Sequence, residues 1–312
     1  MTLGGICVEE STFYFHAQDG KELFAKSWVG EQQPKAVLQI AHGMAEHIGR
    51  YGNLARFLVS HGIYVFGNDH RGHGHTVRRD EDRGYYADQN GFETVVEDMK
   101  QLTDVVKEEF PDAPLFLLGH SMGSFLSRKY VQRYGEELQG VIFSGTGGHP
   151  GLIGKIGHFL ATQEARKKGR RTPSERMNSL TFGSYNKAFS PGRTEFDWLT
   201  RDETEVDAYI KDPLCGGVFT AGYFADFLKG LLCIYDEDDQ IPKQLSALFL
   251  SGDQDPVGKN TKGVLQSYQQ LKSVGLTDVT YKFYPGARHE ILNETNKQEV
   301  YEDLLKWIEK RL

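Results

Sequence analysis

The 312-residue sequence predicts an α/β fold, a mostly parallel central sheet flanked by helices, with an inserted helical cap. Three observations carry this. Short apolar runs, each closed by glycine or a polar loop, recur along the chain. Amphipathic stretches at helical spacing alternate with them, the pattern of strands buried on both faces. The alternation breaks at about Gly147 and returns at about Leu245, and the segment between holds scattered aromatics and glycines without a strand–helix rhythm. The expected organisation is a core of residues 1–147 and 243–312 with a cap over 148–242.

Taken in order, "STFYFHAQDGKELFAKSWV" reads as a hairpin turning at Asp19-Gly20. "KAVLQIAHG", from Lys35, and "GIYVFGNDHRGHG", from Gly62, are strands that run into glycine-bearing loops. Between them, "YGNLARFLVSHG" sets Leu54, Phe57 and Leu58 on one side of a helix. A second helix carries Phe92, Val95, Val96, Met99, Leu102, Val106 and Phe110 at intervals of three and four, which makes one face apolar. "PLFLLG" is a strand, "SFLSRKYVQRYG" a helix ending at Gly135, and "LQGVIFSGT" a strand. After the cap, "LSALFLSGDQDPVG" and "VTYKFYPGARHE" are strands followed by loops, and a last helix runs from about Lys297 to Arg311. The cap, mainly helical, is expected over the carboxyl edge of the sheet, where open α/β sheets place ligands.

Bulk properties narrow the function. Apolar content of 39% and charged content of 25% suit a globular enzyme. A net charge of -7 argues against nucleic acid, whose phosphates need a basic surface. Cys7, Cys215 and Cys233 are odd in number and far apart, which points to reduced thiols and a cytoplasmic location. The N-terminal "MTLGGICVEESTFYF" has neither the basic nor the apolar region of a leader, and no apolar run approaches the roughly 18 residues of a membrane span.

Gly119-His120-Ser121-Met122-Gly123 fits G-x-S-x-G between a strand and a helix. Glycine is common here, so the pattern gains weight from that context. The glycines permit a tight turn that holds the Ser121 hydroxyl above the sheet edge, with the next N–H free for an oxyanion. A serine hydroxyl needs a base. In this architecture the order is serine, acid, histidine, and His289 is the sole histidine after His158. The acid should end a strand between the two, and Asp253 and Asp255 both satisfy that pattern. "AHGMAEHIGRY" follows an early strand, and its backbone would supply the second oxyanion donor, so the expected pair is Met44 N–H and Met122 N–H.

Other groups read as structural. His42 and His47 lack partners at metal-ligand spacing, and "DHRGHGH" reads as a polar loop beside the site floor. No metal is expected. The basic run Arg166 to Arg171 is a helix end with some capacity for anionic lipid, and the acidic run Asp236 to Asp239 reads as a solvated loop.

Together these residues resemble the α/β-hydrolase superfamily, in particular the monoacylglycerol lipase and bacterial lysophospholipase group of serine aminopeptidase S33 type. The resemblance rests on "HGMAEHIGRY", "NDHRGHGHT", "LGHSMGS", "KDPLCGG", "SGDQDPVG" and "YPGARHEILNE", spread over nearly the whole chain. It implies an α/β-hydrolase fold, Ser121 as nucleophile and His289 as base. It also implies Asp255 rather than Asp253 as the acid, because the G-x-x-D pattern falls on Gly252 to Asp255. The implied activity is hydrolysis of acyl-lipid esters through an acyl-enzyme, with no cofactor, and with only transient contact between cap and membrane surface. Rival readings are an aminopeptidase that would hold a substrate ammonium with Glu164, Glu175, Glu195, Asp197, Glu203 or Glu205, a short-chain carboxylesterase, and a catalytically silent small-molecule-binding homologue.

Overall fold

The computed structural model describes residues 2–3 and 6–312. Met1, Gly4 and Gly5, part of the stretch read as leaderless, lie outside the described residues. Beyond a two-residue ribbon at Thr2–Leu3 and Ile6–Cys7, the chain builds one eight-stranded sheet. Its strands are β1 (Glu9–His16), β2 (Glu22–Val29), β3 (Ala36–Ala41), β4 (Ile63–Asn68), β5 (Leu115–His120), β6 (Gly140–Ser144), β7 (Ser246–Gly252) and β8 (Val279–Tyr284). The spatial order is β1-β2-β4-β3-β5-β6-β7-β8. Only the pairings of β2 with β1 and with β4 are antiparallel. Gly20, at the tip of the opening hairpin, takes φ +80°, as the Asp-Gly reading requires.

The five strands β3 to β7 are buried along their whole length because both faces are covered, whereas the edge strand β8 is partly exposed. On β5, Phe116 and Leu118 enter one core, while Leu117 enters the other. Helices α1 (Gly52–Val59) and α9 (Lys297–Glu309) cover the first face through Leu54, Leu58, Leu304 and Trp307. Helices α2 (Gly91–Glu109) and α3 (Met122–Tyr134) cover the second through Val95, Met99, Leu126 and Tyr130. Burying each such side chain contributes on the order of 2 kcal/mol.

The segment between β6 and β7 is helical, with α4 (Gly151–Lys168), α5 (Glu175–Phe182), α6 (Glu203–Lys211) and α7 (Ala221–Leu232). Among the described residues no helix is long and apolar enough to cross a membrane.

Two findings depart from the sequence reading. Helix α8 (Lys262–Ser273) lies between β7 and β8, where the sequence reading expects only a loop. Its sequence "KGVLQSYQQLKS" buries few large apolar residues, Val264 and Leu271, so its periodicity is weak. The run Asp236–Asp239 is not simply a solvated loop. Asp238 is buried and accepts two bonds from the buried Arg128 guanidinium, from Nε at 3.0 Å and from Nη2 at 2.5 Å. A buried carboxylate needs such a partner, since an unpaired one carries a large desolvation cost.

Candidate active site

Neighbouring strands deliver the site. β3 is followed by β4 on one side and β5 on the other, so the carboxyl ends of β3 and β5 flank a crevice at this switch point. Ser121 follows β5 directly and takes φ 52° and ψ -119°, a strained conformation for a residue with a side chain. The turn is tight enough that a Cβ on Gly119 would lie 2.3 Å from Gly123 O, and one on Gly123 would lie 2.0 Å from Ala41 O. The Ser121 N–H donates to Ser144 O at 2.9 Å, which ties the turn to β6. Met122 is the first residue of α3, so its N–H is among those a helix start leaves without an intrahelical acceptor. The Met122 side chain is anchored too, since the hydroxyls of Tyr86 and Tyr223 donate to its Sδ at 2.8 and 3.0 Å.

Gly43 and Met44 follow β3. A Cβ on Gly43 would stand 3.2 Å from Ser121 Cβ, so this loop lies against the serine. Its backbone is held on both sides. The Gly43 N–H donates to Glu46 Oε1 at 2.5 Å, and Gly43 O is 2.7 Å from His42 Nδ1. His42 Nε2 accepts the His70 N–H at 3.0 Å. The His70 and His73 rings pack on that of His42, with centroids 4.3 and 5.2 Å away, and all three are buried.

His289 follows β8. Its Nδ1 lies 3.0 Å from each carboxylate oxygen of Asp255, and both residues are buried. Asp253, the other acid left open by the pattern, instead accepts the Gly286 N–H at 2.8 Å and braces the turn before His289. Burial opposes a charge on His289, but the carboxylate of Asp255 outweighs it and holds the imidazole above its ordinary pKa. His120, with its ring centroid 4.8 Å from that of His289, is driven the other way, down to about 4, first by burial and then by His289 itself. A neutral His120 spares His289 a cationic neighbour. Ser121 and His289 line one cavity, although among the described residues no hydrogen bond joins them. Such contacts often tighten only when substrate binds.

The cavity measures about 1010 Å³. Its floor is Gly43, Met44, Ser121 and His289, and its walls come largely from the helical segment, through Phe182, Phe196, Trp198 and Val218. The sequence reading missed these walls, and it missed the groups that brace the floor. Trp198 O accepts the His289 N–H at 3.3 Å, and Leu199 O accepts that of Glu290 at 2.7 Å. Arg50 bonds both Glu46 and Glu290. "AHGMAEHIGRY" contains two of these three residues, but nothing local links them to position 290.

Among the described residues one set of metal-type ligands converges, His47, Asp212 and Cys215, within 4.8 Å of one another. Spacing hides it, because His47 and Asp212 are 165 positions apart. The donors fit a cation poorly. His47 Nδ1 accepts the Gly49 N–H at 3.2 Å, which leaves the ring proton on Nε2, facing Asp212 Oδ2 at 2.8 Å. Burial also keeps the Cys215 thiol protonated.

Residues 32–296 match the family described as serine aminopeptidase, S33. The chain is 30% identical over 298 residues to the monoglyceride lipase of Mus musculus, covering 94% of this chain and 89% of that one. It is 29% identical over 302 residues to the monoacylglycerol lipase of Mycolicibacterium smegmatis, covering 94% and 95%. A solved structure, a highly thermostable carboxyl esterase from Bacillus coagulans in complex with glycerol, superposes with a TM-score of 0.90 at 27% identity, covering 96% of this chain and 98% of that one.

Proposed function

The chain belongs to the serine aminopeptidase S33 family and has the α/β-hydrolase fold, and on that premise we propose that it hydrolyses carboxylic esters of acyl lipids, as a monoacylglycerol lipase or lysophospholipase, through Ser121, His289 and Asp255. The observation that carries the proposal is the buried Asp255–His289 pair, 3.0 Å apart, opening onto the cavity that holds Ser121.

In the first step His289 Nε2 takes the Ser121 proton as Oγ attacks the ester carbonyl. Asp255 accepts the Nδ1–H, which orients the ring and stabilises the imidazolium. The N–H groups of Met44 and Met122 receive the oxyanion, and one such donor is worth about 3 kcal/mol of barrier. Collapse of the tetrahedral species expels the alcohol, which leaves with the proton from His289. Water then enters, gives a proton to His289 and attacks the acyl-enzyme, and collapse frees the acid as His289 returns that proton to Ser121 Oγ. No cofactor takes part in this scheme.

Several features support a lipid ester over an amine-bearing peptide. Phe182, Phe196, Trp198 and Val218 give the cavity an apolar wall suited to an acyl chain. The acids an aminopeptidase would need are mostly engaged elsewhere. Glu164 is bonded to Lys168 and Ser174, Asp197 accepts from the Arg193 and Thr194 N–H groups, and Glu205 pairs with Lys297. Of the six, Glu195 alone lines the cavity.

Residues 148–242 are proposed to act as the cap. Helix α4 exposes Leu152, Ile153, Ile156 and Phe159 and continues into exposed Arg166 and Lys167, a combination suited to brief contact with an anionic lipid surface. A cytoplasmic location is proposed from the three free thiols of Cys7, Cys215 and Cys233.

The test is fatty-acid release from a monoacylglycerol and from a lysophosphatidylcholine of matched chain length, with Ser121→Ala as control. Faster release from the first identifies a neutral glycerol pocket, and faster release from the second a site that accepts a charged headgroup. Turnover retained by Ser121→Ala would overturn the assignment. Failure of a fluorophosphonate to label Ser121 would favour the silent binding homologue.

A further inference from the structure

We propose that Arg50 is a positioning residue, a buried clamp that sets the oxyanion loop at Gly43–Met44 against the loop carrying His289. The inference rests on the reaction proposed above and adds to it a group that touches neither substrate nor nucleophile.

The clamp has two arms. Arg50 Nη1 donates to Glu290 Oε1 at 2.6 Å, and Nη2 donates to Glu290 Oε2 at 2.8 Å, a planar two-bond fork. Nη1 also donates to Glu46 Oε2 at 2.8 Å. Each carboxylate then grips one working loop. Glu46 Oε1 accepts the N–H of Gly43 at 2.5 Å and the Tyr51 hydroxyl at 2.8 Å, which orients the peptide that leads to Met44. Glu290 is joined directly to His289, and its Oε2 accepts from Asn293 Nδ2 at 3.1 Å. A third contact reaches the cap. The Arg50 guanidinium lies 5.0 Å from the centre of the Tyr209 ring, and the Tyr209 hydroxyl donates to Ala45 O at 3.0 Å.

The three charged side chains are almost wholly buried, with exposures of 10% for Arg50, 4% for Glu46 and 6% for Glu290. Their geometry is therefore not blurred by solvent. An oxyanion donor must sit within a few tenths of an ångström of its place, and a misplacement of about 1 Å can cost on the order of 100-fold in rate. A planar fork fixes direction as well as distance, and a lysine ammonium cannot reproduce it.

The arrangement also has an electrostatic consequence that simple bracing would lack. The ionisable groups around His289 are Asp255 from the β7 loop, His120 from the end of β5, Glu290 on its own loop, and Glu46 and Arg50 from the loop after β3. Both glutamates favour the imidazolium. Arg50 balances one of them. Burial would raise the Glu290 carboxyl, but the charge and bonds of Arg50 override it and hold it well below the usual range. Removing Arg50 therefore leaves carboxylate charge uncompensated near His289, whereas removing Glu290 takes such charge away.

The experiment compares Arg50→Lys, Arg50→Met and Glu290→Gln by steady-state kinetics on a soluble short-chain ester across pH, with folding checked by circular dichroism. Arg50→Lys keeps the charge and loses the fork. It should lower kcat about 10- to 100-fold while KM and the acid limb of kcat/KM stay in place. Arg50→Met should move the acid limb to higher pH, and Glu290→Gln should move it to lower pH. An Arg50→Lys enzyme with wild-type kcat would overturn the clamp, as would acid limbs of Arg50→Met and Glu290→Gln that move the same way or not at all. If Arg50→Met does not fold, the other two variants decide. Fluorophosphonate labelling of Ser121 in the wild type separates the two levels. Without labelling the hydrolase reading itself fails, and with labelling only the clamp is at stake.

Discussion

Ser121 stores energy in its backbone, and that energy is measurable. At φ 52° and ψ -119° the residue occupies a region that costs a side-chain-bearing residue about 1–3 kcal/mol and costs glycine almost nothing. Ser121→Gly releases this strain. Glycine gives back about 0.5–1 kcal/mol, because its unfolded chain has more freedom to lose. Ser121→Ala removes the same hydroxyl but keeps the Cβ and the strain, so it is the proper reference. The net expectation is that Ser121→Gly is more stable than Ser121→Ala by about 0.5–2 kcal/mol. A chain of 312 residues unfolds with an entropy of about 0.7 kcal/mol per kelvin, so the difference in Tm is about 1–3 °C. Scanning calorimetry on the two variants at one scan rate reads it, and both should be inactive on esters. If Ser121→Gly melts at or below Ser121→Ala, the turn is not strained and the reasoning fails.

Acid should destabilise the fold. Burial pushes His42 and His73 down to about 3 and His120 to about 4, so below the ordinary value of about 6.5 the unfolded chain binds more protons than the folded one. Stability is then lost as pH falls from about 6.5 towards 4, by on the order of 2 kcal/mol per histidine at pH 5. His289, with its raised pKa, works the other way: its contribution is present below about 6.5 and is lost as pH rises through its folded value. Urea midpoints should be clearly lower at pH 5 than at pH 7.5, and equal midpoints would count against neutral burial. Met122→Leu removes the sulfur to which the buried hydroxyls of Tyr86 and Tyr223 both donate, leaves at least one of them short of an acceptor, and should cost about 1–3 kcal/mol. Adding Tyr86→Phe and Tyr223→Phe should recover most of that in thermal denaturation, and no recovery would mean that the sulfur contacts are incidental. Ile153→Glu with Phe159→Glu on α4 should abolish co-sedimentation with anionic vesicles while turnover of a soluble ester stays unchanged. Retained binding would remove α4 from the contact surface.

Much of this protein is written locally. The strands are legible because parallel strands buried on both faces are continuous apolar runs, and α2 because its apolar residues repeat at helical intervals. The turn at Ser121 is legible for a steric reason, since only glycine fits at 119 and 123 with backbone and side chains so close. His289 is legible as the candidate base because it is the last histidine and follows the candidate acids in chain order. Other features depend on which segments the fold brings together. The pattern at "SGDQDPVG" admits two acids, and the loop's course places Asp255 against His289 and Asp253 against Gly286. Asp238 meets Arg128 across 110 positions, so a run of acids that looks solvated supplies a buried ion pair. The Arg50–Glu290 fork spans 240 positions. Periodicity and turn chemistry act over a few residues, so they determine the elements and the turn at Ser121. A buried charge instead finds its partner only after the chain has folded back on itself, and no local pattern encodes which partner that will be.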